Sequence, residues 1–323
     1  MREIDVDEAG VALQQPDSKL IRPTLKTMEN NFDKQYKSLI NSVLTDGSER
    51  VTRSGAGTLS IHGYMIKHNM SEGFPLTTLR SIPFRLIASE LEWTLKGKTD
   101  KKSLNELGNH IWDKFCNPKY VKDFKNNQET YDLMLNENDL GPIYGFQWRF
   151  FGADYIGPGT DYSHKGFDQI KNLIDMLKKN TFSKRLIVTN WHPKDVLEMA
   201  VPSCPCMFQL IRHGDKLNLS FFQRSADCMV GLPFDFAFHA LLLHLFSLQT
   251  GLWAGSVVGF FNNVEIFNQH IDGAKELIKK TSKKLGKLKT KKFDDLLNWK
   301  FSDTQLLEYE PNELMKFEVN ISS

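Results

Sequence analysis

Residues 203–235 constrain this chain more than any other stretch. Two strand-like runs, 207–212 and 216–222, flank His213-Gly214-Asp215, a triplet suited to a hairpin turn. After the hairpin come Gln-Arg-Ser-Ala-Asp at 223–227 and Gly-Leu-Pro-Phe-Asp at 231–235. An apolar run, 236–248, follows and reads as a buried helix ended by Gly251. A hairpin running directly into such a helix requires a sheet with that helix packed on it. The polar groups gathered around it exceed what a core needs, so the segment also predicts a functional site.

The rest of the chain mixes helices and strands. Residues 31–44 carry apolar positions at helical spacing. Residues 58–69 read as a strand pair turning near His62-Gly63, and 82–95 as a helix stopped by Gly97. Glu90 and Glu92 flank Leu91 in that helix. One of them is expected to face inward, where an unpartnered carboxylate costs several kcal/mol, so the pair hints at function. Residues 104–115 read as helix, 120–136 as a polar loop, 167–177 as an amphipathic helix, and 185–191 and 257–261 as strands. With no internal repeat and no long linker, the chain predicts a single α+β domain, a mixed β-sheet packed with helices, over residues 29–323. Residues 1–28 lack periodicity and read as an N-terminal extension.

Several functional classes are excluded or disfavoured. A formal net charge of +2 gives no general argument for nucleic acid. Residues 279–292 hold eight lysines and no acid. They read as a solvated loop or an anion-attracting edge, and DNA or RNA binding is not expected. The acidic N-terminus does not resemble a signal peptide, and no window approaches a membrane span. Cys116, Cys204, Cys206 and Cys228 form neither a disulfide framework nor ligand pairs spaced for zinc, so no metal is expected. Free thiols fit a cytoplasmic protein, in the host cytoplasm if the chain is viral.

Cys204 stands just before a strand, where rigid backbone can hold a nucleophile. Such a thiol needs a lowered pKa, and Arg224 at the end of the hairpin is the candidate for lowering it. Arg53, at the head of Arg-Ser-Gly-Ala-Gly-Thr, combines a guanidinium with glycines that let backbone amides approach an anion.

At this point an ordered set of motifs becomes specific. Arg53-Ser-Gly-Ala-Gly-Thr-Leu-Ser-Ile-His-Gly is followed by Gly73-Phe-Pro-Leu-Thr-Thr, Ser89-Glu-Leu-Glu-Trp and Ile111-Trp-Asp. Leu140-Gly-Pro-Ile-Tyr-Gly-Phe-Gln-Trp-Arg, Lys184-Arg-Leu-Ile-Val and the 203–234 stretch come next. From about residue 32 to residue 311 the chain resembles thymidylate synthase and its pyrimidine hydroxymethylase relatives. The resemblance implies that Cys204, five residues before Gln209, adds to C6 of a pyrimidine nucleoside monophosphate. C5 then attacks the methylene of 5,10-methylenetetrahydrofolate. Glu90 would move protons, and Tyr144 would lie beside the thiolate. Arg53, Arg224 and Ser225 would hold the phosphate, with Lys184 and Arg185 reaching across from the second subunit of a C2 homodimer. Gln223 and residue 235 would face the base. Arg80, Trp112, Asp227 and Gly231 would line the folate side.

Four departures from the family pattern bear on substrate. Pro205 replaces the histidine after the nucleophile. Lys184 replaces an arginine and loses its bidentate geometry. Glu265 and Phe267 stand where a histidine and a tyrosine hold the sugar hydroxyl, which leaves ribose against deoxyribose open. Asp235 replaces an asparagine. Ionised aspartate only accepts hydrogen bonds and so suits the N4 amino group of cytosine, while a protonated carboxyl or a water would meet N3. The expected substrate is therefore dCMP and the product 5-hydroxymethyl-dCMP, as in relatives used by DNA viruses that modify their bases. The alternatives are a dUMP hydroxymethylase, a thymidylate synthase, or a non-catalytic nucleotide- or RNA-binding relative.

Overall fold

The computed structural model describes residues 29–52, 55–121, 128–179 and 182–319. In chain order, helix α1 (Asn31–Asp46) precedes strands β1 (Ser48–Val51) and β2 (Gly57–Asn69). Helices α2 (Phe84–Leu95), α3 (Lys101–Glu106), α4 (Gln128–Asn136), α5 (Tyr144–Phe150) and α6 (Gln169–Lys178) follow. Then come strands β3 (Ile187–Thr189), β4 (Pro205–His213) and β5 (Lys216–Asp227), helix α7 (Gly231–Thr250), strand β6 (Trp253–Phe267), helix α8 (Ile271–Leu277) and strands β7 (Lys287–Thr290) and β8 (Thr304–Leu307). The extension at 1–28 and Arg53 lie outside the described residues.

The hairpin forms as read: β4 and β5 pair antiparallel through a turn in which Gly214 takes φ +61°. Six strands make one sheet in the order β1-β2-β6-β5-β4-β3, with only β5 and β6 parallel. The sheet is therefore mixed, and the architecture is α+β. The parallel pair is possible because α7 carries the chain from the end of β5 back to the start of β6. Phe236, Leu241, Leu245 and Phe246 of α7 are fully buried. The helix packs on β5 and β6 on one side and on α2 and α6 on the other, so it is apolar around most of its circumference. It is also longer than read. Its 20 residues are long and apolar enough to cross a membrane by composition alone, which corrects the expectation that no window approaches a span. Here it is the core helix.

Four local readings need correction. Residues 57–69 form one continuous strand. His62 pairs with Asn263 and Tyr64 with Phe261, so the register runs unchanged through Gly63, which takes φ +75° without reversing the chain. The helix read over 104–115 stops at Glu106 and gives way to turns. The polar loop read over 120–136 contains α4, whose only buried residue is Met134. The lysine-rich segment is not simply a solvated loop. Residues 287–290 form β7 against β8, Lys284 and Lys287 pair with Glu308, and Lys291 pairs with Asp303.

One buried carboxylate ties this periphery to the core. Asn30 caps α1 by accepting from the Asp33 amide at 2.8 Å, while Phe32, Tyr36, Leu39, Ile40 and Val43 bury one face of the helix. Asp33 itself is fully buried. It accepts from Thr77 Oγ1 at 2.6 Å, from the amide and hydroxyl of Thr78, from Ser282 Oγ at 3.0 Å and from Asn30 Nδ2 at 2.7 Å. It thus joins α1, the 77–78 turn and the lysine-rich segment. Asp33→Ala strands several buried donors and should lower stability by about 3 kcal/mol, read as a fall in the urea midpoint. An unchanged midpoint would show that the cluster contributes little.

Candidate active site at the strand ends

The elements around the hairpin converge on a cavity of about 620 Å³. The end of β5 supplies Gln223, Arg224, Ser225 and Asp227, and β6 supplies Glu265 and Phe267. The first turns of α7 supply Gly231, Phe234 and Asp235, α2 supplies Glu90, and α5 begins with Tyr144. Cys204 enters from the residue before β4. Trp112, Ile111 and Phe115 come from the turns after α3, and Arg80 from the segment before α2. A second cavity, about 270 Å³, adjoins it. Arg224, Ser225 and Glu265 line both, joined in the smaller one by Arg50, Val51, Thr52, Thr58 and Asn263.

Cys204 is fixed by its backbone. Its carbonyl accepts from the Arg224 amide at 2.9 Å, and its amide donates to Tyr144 Oη at 3.3 Å. A register shift between Pro205 and Met207 marks a bulge where β4 leaves the thiol. Arg224 donates to the carbonyls of Ser203 and Pro202 and stands 3.9 Å from Cys204 Sγ. It was expected to leave the thiol acidic. Burial outweighs it: with Asp235, Cys206 and Glu265 also opposing ionisation, the Cys204 thiol is pushed up to about 12. In the free protein this thiol is protonated.

The two glutamates of α2 divide. Glu92 is buried, pairs with Lys96 and accepts from the Phe301 amide at 2.7 Å. Glu90 lines the cavity and accepts from Trp112 Nε1 at 2.8 Å. Desolvation raises Glu90 to about 7 despite that bond. Asp235 accepts from Gln223 Nε2 at 2.6 Å. Desolvation first, and then the neighbouring Glu90, push it up to about 8, so it is a carboxylic acid at neutral pH. This revises the reading of Asp235 as an ionised acceptor. Asp227 accepts from the amides of Met229 and Val230 and is raised to about 6, chiefly by burial.

The remaining predicted residues divide in position. Arg80 is buried, donates to the Met229 carbonyl at 2.6 Å and lies 5.2 Å from the Phe317 ring centroid, with Nε lacking a partner among the described residues. Lys184 and Arg185 are exposed beside β3 and line neither cavity. The sequence reading missed Phe115, Phe234 and residues 314–319, which close one side of the larger cavity. No motif marks 314–319, and only folding brings Phe317 against Arg80 and His270.

The raised carboxyls have a sign that can be tested. Their unfolded values lie near 4, whereas the folded chain holds these protons to about 6, 7 and 8. Their contribution to stability is full below about 4 and is lost as pH rises through the folded values. The buried His239 and His244, both pushed down to about 4, act oppositely. Their contribution is complete above about 6.5, the unfolded histidine value. Asp235→Asn should therefore gain on the parent chain in urea midpoint as pH rises from about 6.5 to 9. A constant difference would mean that Asp235 ionises as an ordinary carboxyl.

Comparison with known proteins agrees with this arrangement. A family model described as Thymidylate synthase matches residues 34–321. A bifunctional dihydrofolate reductase-thymidylate synthase of Paramecium tetraurelia is 36% identical over 253 residues, 78% of this chain and 53% of that protein. One of Zea mays is 35% identical over 249 residues, 77% of this chain and 47% of that protein. The thymidylate synthase of varicella-zoster virus (strain Dumas) is 35% identical over 249 residues, 77% of this chain and 81% of that protein. The chain thus spans about half the length of the bifunctional relatives and most of the viral one. With the motifs in order, the cavity assembled from them and the family model matching from residue 34 almost to the end, this chain belongs to the thymidylate synthase family.

Proposed function

We propose that the chain transfers a one-carbon unit from 5,10-methylenetetrahydrofolate to C5 of a cytosine nucleoside monophosphate, giving the 5-hydroxymethyl nucleotide. The observation that carries the assignment to a pyrimidine base is the Asp235–Gln223 pair, and the preference for cytosine over uracil rests on the basicity of cytosine N3. Gln223 Nε2 donates to Asp235 Oδ2, so that oxygen is the acceptor and the proton sits on the other. A neutral carboxyl then presents a donor and an acceptor side by side. They match N3 and the N4 amino group of cytosine without an intervening water. N3 of cytosine is a basic nitrogen, so the Asp235 proton can move onto the ring as sulfur bonds to C6. The C5–C6 π pair shifts toward C5, and the thiol proton passes to the Asp235–Glu90 carboxyls. Glu90, at about 7, is suited to take the C5 proton once C5 has bonded to the methylene carbon; tetrahydrofolate then leaves, water adds to the exocyclic methylene, and the C6–S bond breaks to return the thiol.

The folate supplies the electrophilic methylene carbon. Ile111, Trp112, Phe115, Val230 and Phe234 offer flat apolar walls for its rings. A Cβ built at Gly231 would meet nothing nearer than Asp235 Oδ2 at 3.6 Å, so the protein itself leaves that space open for a ligand. Arg80 and Asp227 are the polar groups proposed for the folate side. Arg224 and Ser225, with Arg53, are proposed for the phosphate.

A dimer is part of this reading. Met65, Phe260, Phe222 and Met207 are successive register partners across β2, β6, β5 and β4. Met65, Phe260 and Phe222 are 52%, 44% and 40% exposed. An apolar row across a sheet face is a liability in a monomer and suits an isologous contact with a second copy. Such a contact gives Lys184 and Arg185, which line neither cavity of their own chain, a role in the partner's phosphate site.

The second reading is methylation of dUMP. The relatives' names favour it, and a neutral Asp235 can also donate to O4 and accept from N3–H of uracil. An RNA-binding role is disfavoured by the pairing of Lys284, Lys287 and Lys291 with acids.

Incubation with methylenetetrahydrofolate and cytosine or uracil nucleotides tritiated at C5 tests the proposal. Tritium should leave the cytosine nucleotides, and product mass should read hydroxymethyl; release from uracil nucleotides alone would overturn the base assignment. Cys204→Ser should abolish release, and Cys206→Ser should retain it. In sedimentation the parent chain should be a dimer. Phe260→Asp should give monomers at least tenfold less active, a fold-change of about 1.4 kcal/mol or more; an active monomer would sink the shared-site reading.

A further inference from the structure

Glu265 sits where neither a phosphate nor a base explains it. It lines both cavities, together with Arg224 and Ser225. Asp227, its register partner on β5, lines only the larger one. In a nucleoside monophosphate the sugar lies between phosphate and base. Of the three shared residues Arg224 and Ser225 can donate to a phosphate, whereas a carboxylate can only accept, so under the function proposed above, on which this inference rests, Glu265 is the one that meets the sugar.

The carboxylate is already oriented. Its Oε1 accepts from Ser225 Oγ and its Oε2 from Asn263 Nδ2, each at 3.2 Å. Arg50 Nη1 donates to Asn263 Oδ1 at 2.7 Å, which fixes the amide so that its NH₂ group faces Glu265. Each carboxylate oxygen thus has one protein donor and keeps capacity for another. A carboxylate accepts only, so its complement is a pair of hydroxyl donors on adjacent carbons. Acidic residues accept from ribose hydroxyls in the same way in dinucleotide-binding folds.

The surroundings agree. Phe267, two residues on in β6, is buried and adds no polar atom. Thr58, its register partner on β2, lines the smaller cavity, and its buried Oγ1 has no partner among the described residues. Against the anionic phosphate a carboxylate is unfavourable, and hydroxyl donors from the substrate would offset that cost.

We infer that Glu265 receives the 2′- and 3′-hydroxyls of a ribose, and that the substrate is a ribonucleotide, CMP in preference to dCMP. A deoxyribose leaves one carboxylate oxygen without its second donor. Loss of a recognised hydroxyl can cost several orders of magnitude in a closed site. In this half-buried one the expected discrimination is about 10- to 100-fold.

Calorimetric titration of the full chain with CMP, dCMP, UMP and dUMP reads this directly and needs no folate. Each ribonucleotide should bind about tenfold or more tightly than its deoxy counterpart. Glu265→Gln should bring each ratio to within about twofold, with the thermal midpoint monitored to confirm folding. Equal or tighter binding of the deoxynucleotides, or a ratio unchanged in the variant, overturns the inference. Tritium release separates it from the reading on which it rests. A ribose preference without release from any nucleotide sinks the proposed reaction and leaves the sugar assignment standing. Release from dCMP with no ribose preference does the reverse. Failure of all four nucleotides to bind overturns both.

Discussion

Burial of Glu90, Asp227 and Asp235 in a single cavity is the constraint on which the site depends. The guanidinium groups nearest to them, Arg80 and Arg224, are committed to the carbonyls of Met229, Ser203 and Pro202. They pin the backbone of the 202–204 and 229 turns and do not act as partners for the carboxyls. Without such partners burial pushes the carboxyls up, Asp227 to about 6, Glu90 to about 7 and Asp235 to about 8, because a buried charge must be paired or neutralised. Asp235, neutral at pH 7, removes one negative charge from the cavity wall that an anionic ligand would meet.

The same economy of charge governs Cys204, the proposed nucleophile. A thiol at about 12 beside an arginine shows burial outweighing attraction. Reactivity must then arrive with the substrate. In the proposed reaction, a base that takes the Asp235 proton would let sulfur add to C6 while charge is only relayed, never created in isolation. The Tyr144 hydroxyl, which accepts from the Cys204 amide, and the Arg224 amide, which donates to the Cys204 carbonyl, hold the sulfur in place while its protonation changes.

Much of this was legible in the sequence because the chemistry-bearing residues sit at the ends of regular elements. Cys204, Gln223, Arg224, Asp227 and Asp235 bracket a hairpin and a helix whose local pattern is strong, and the structure brings them together with Glu90 and Tyr144. What could not be read locally depends on distant partners. The lysine-rich run looked solvated because Glu308 and Asp303, which pair with it, come later in the chain. Helix α4 was missed because one buried Met134 gives no periodicity to detect. The protonation state of Asp235 was left open in the sequence for the same reason, since it follows from burial and from Glu90, far away in sequence.

The sheet links these local facts into one device. Its inner face carries α7, so β5 and β6 run parallel and their ends open on the same cavity. The opposite face carries the Met65–Phe260–Phe222 row, whose exposure a lone chain leaves unexplained. Strand β5 contributes to both, with Phe222 exposed on the row and Gln223 buried beside Asp235, because successive residues of a strand face opposite sides. A one-residue slip of β5 would therefore do more than spoil packing. It would carry Gln223 to the outer face and an exposed phenylalanine into the cavity. The bulge at Cys206 falls where β4 meets this part of β5, between the pairs Pro205–Gln223 and Met207–Phe222. It takes up one residue on the β4 side, so that Phe222 stays opposite Met207 while the Cys204 carbonyl still meets the Arg224 amide.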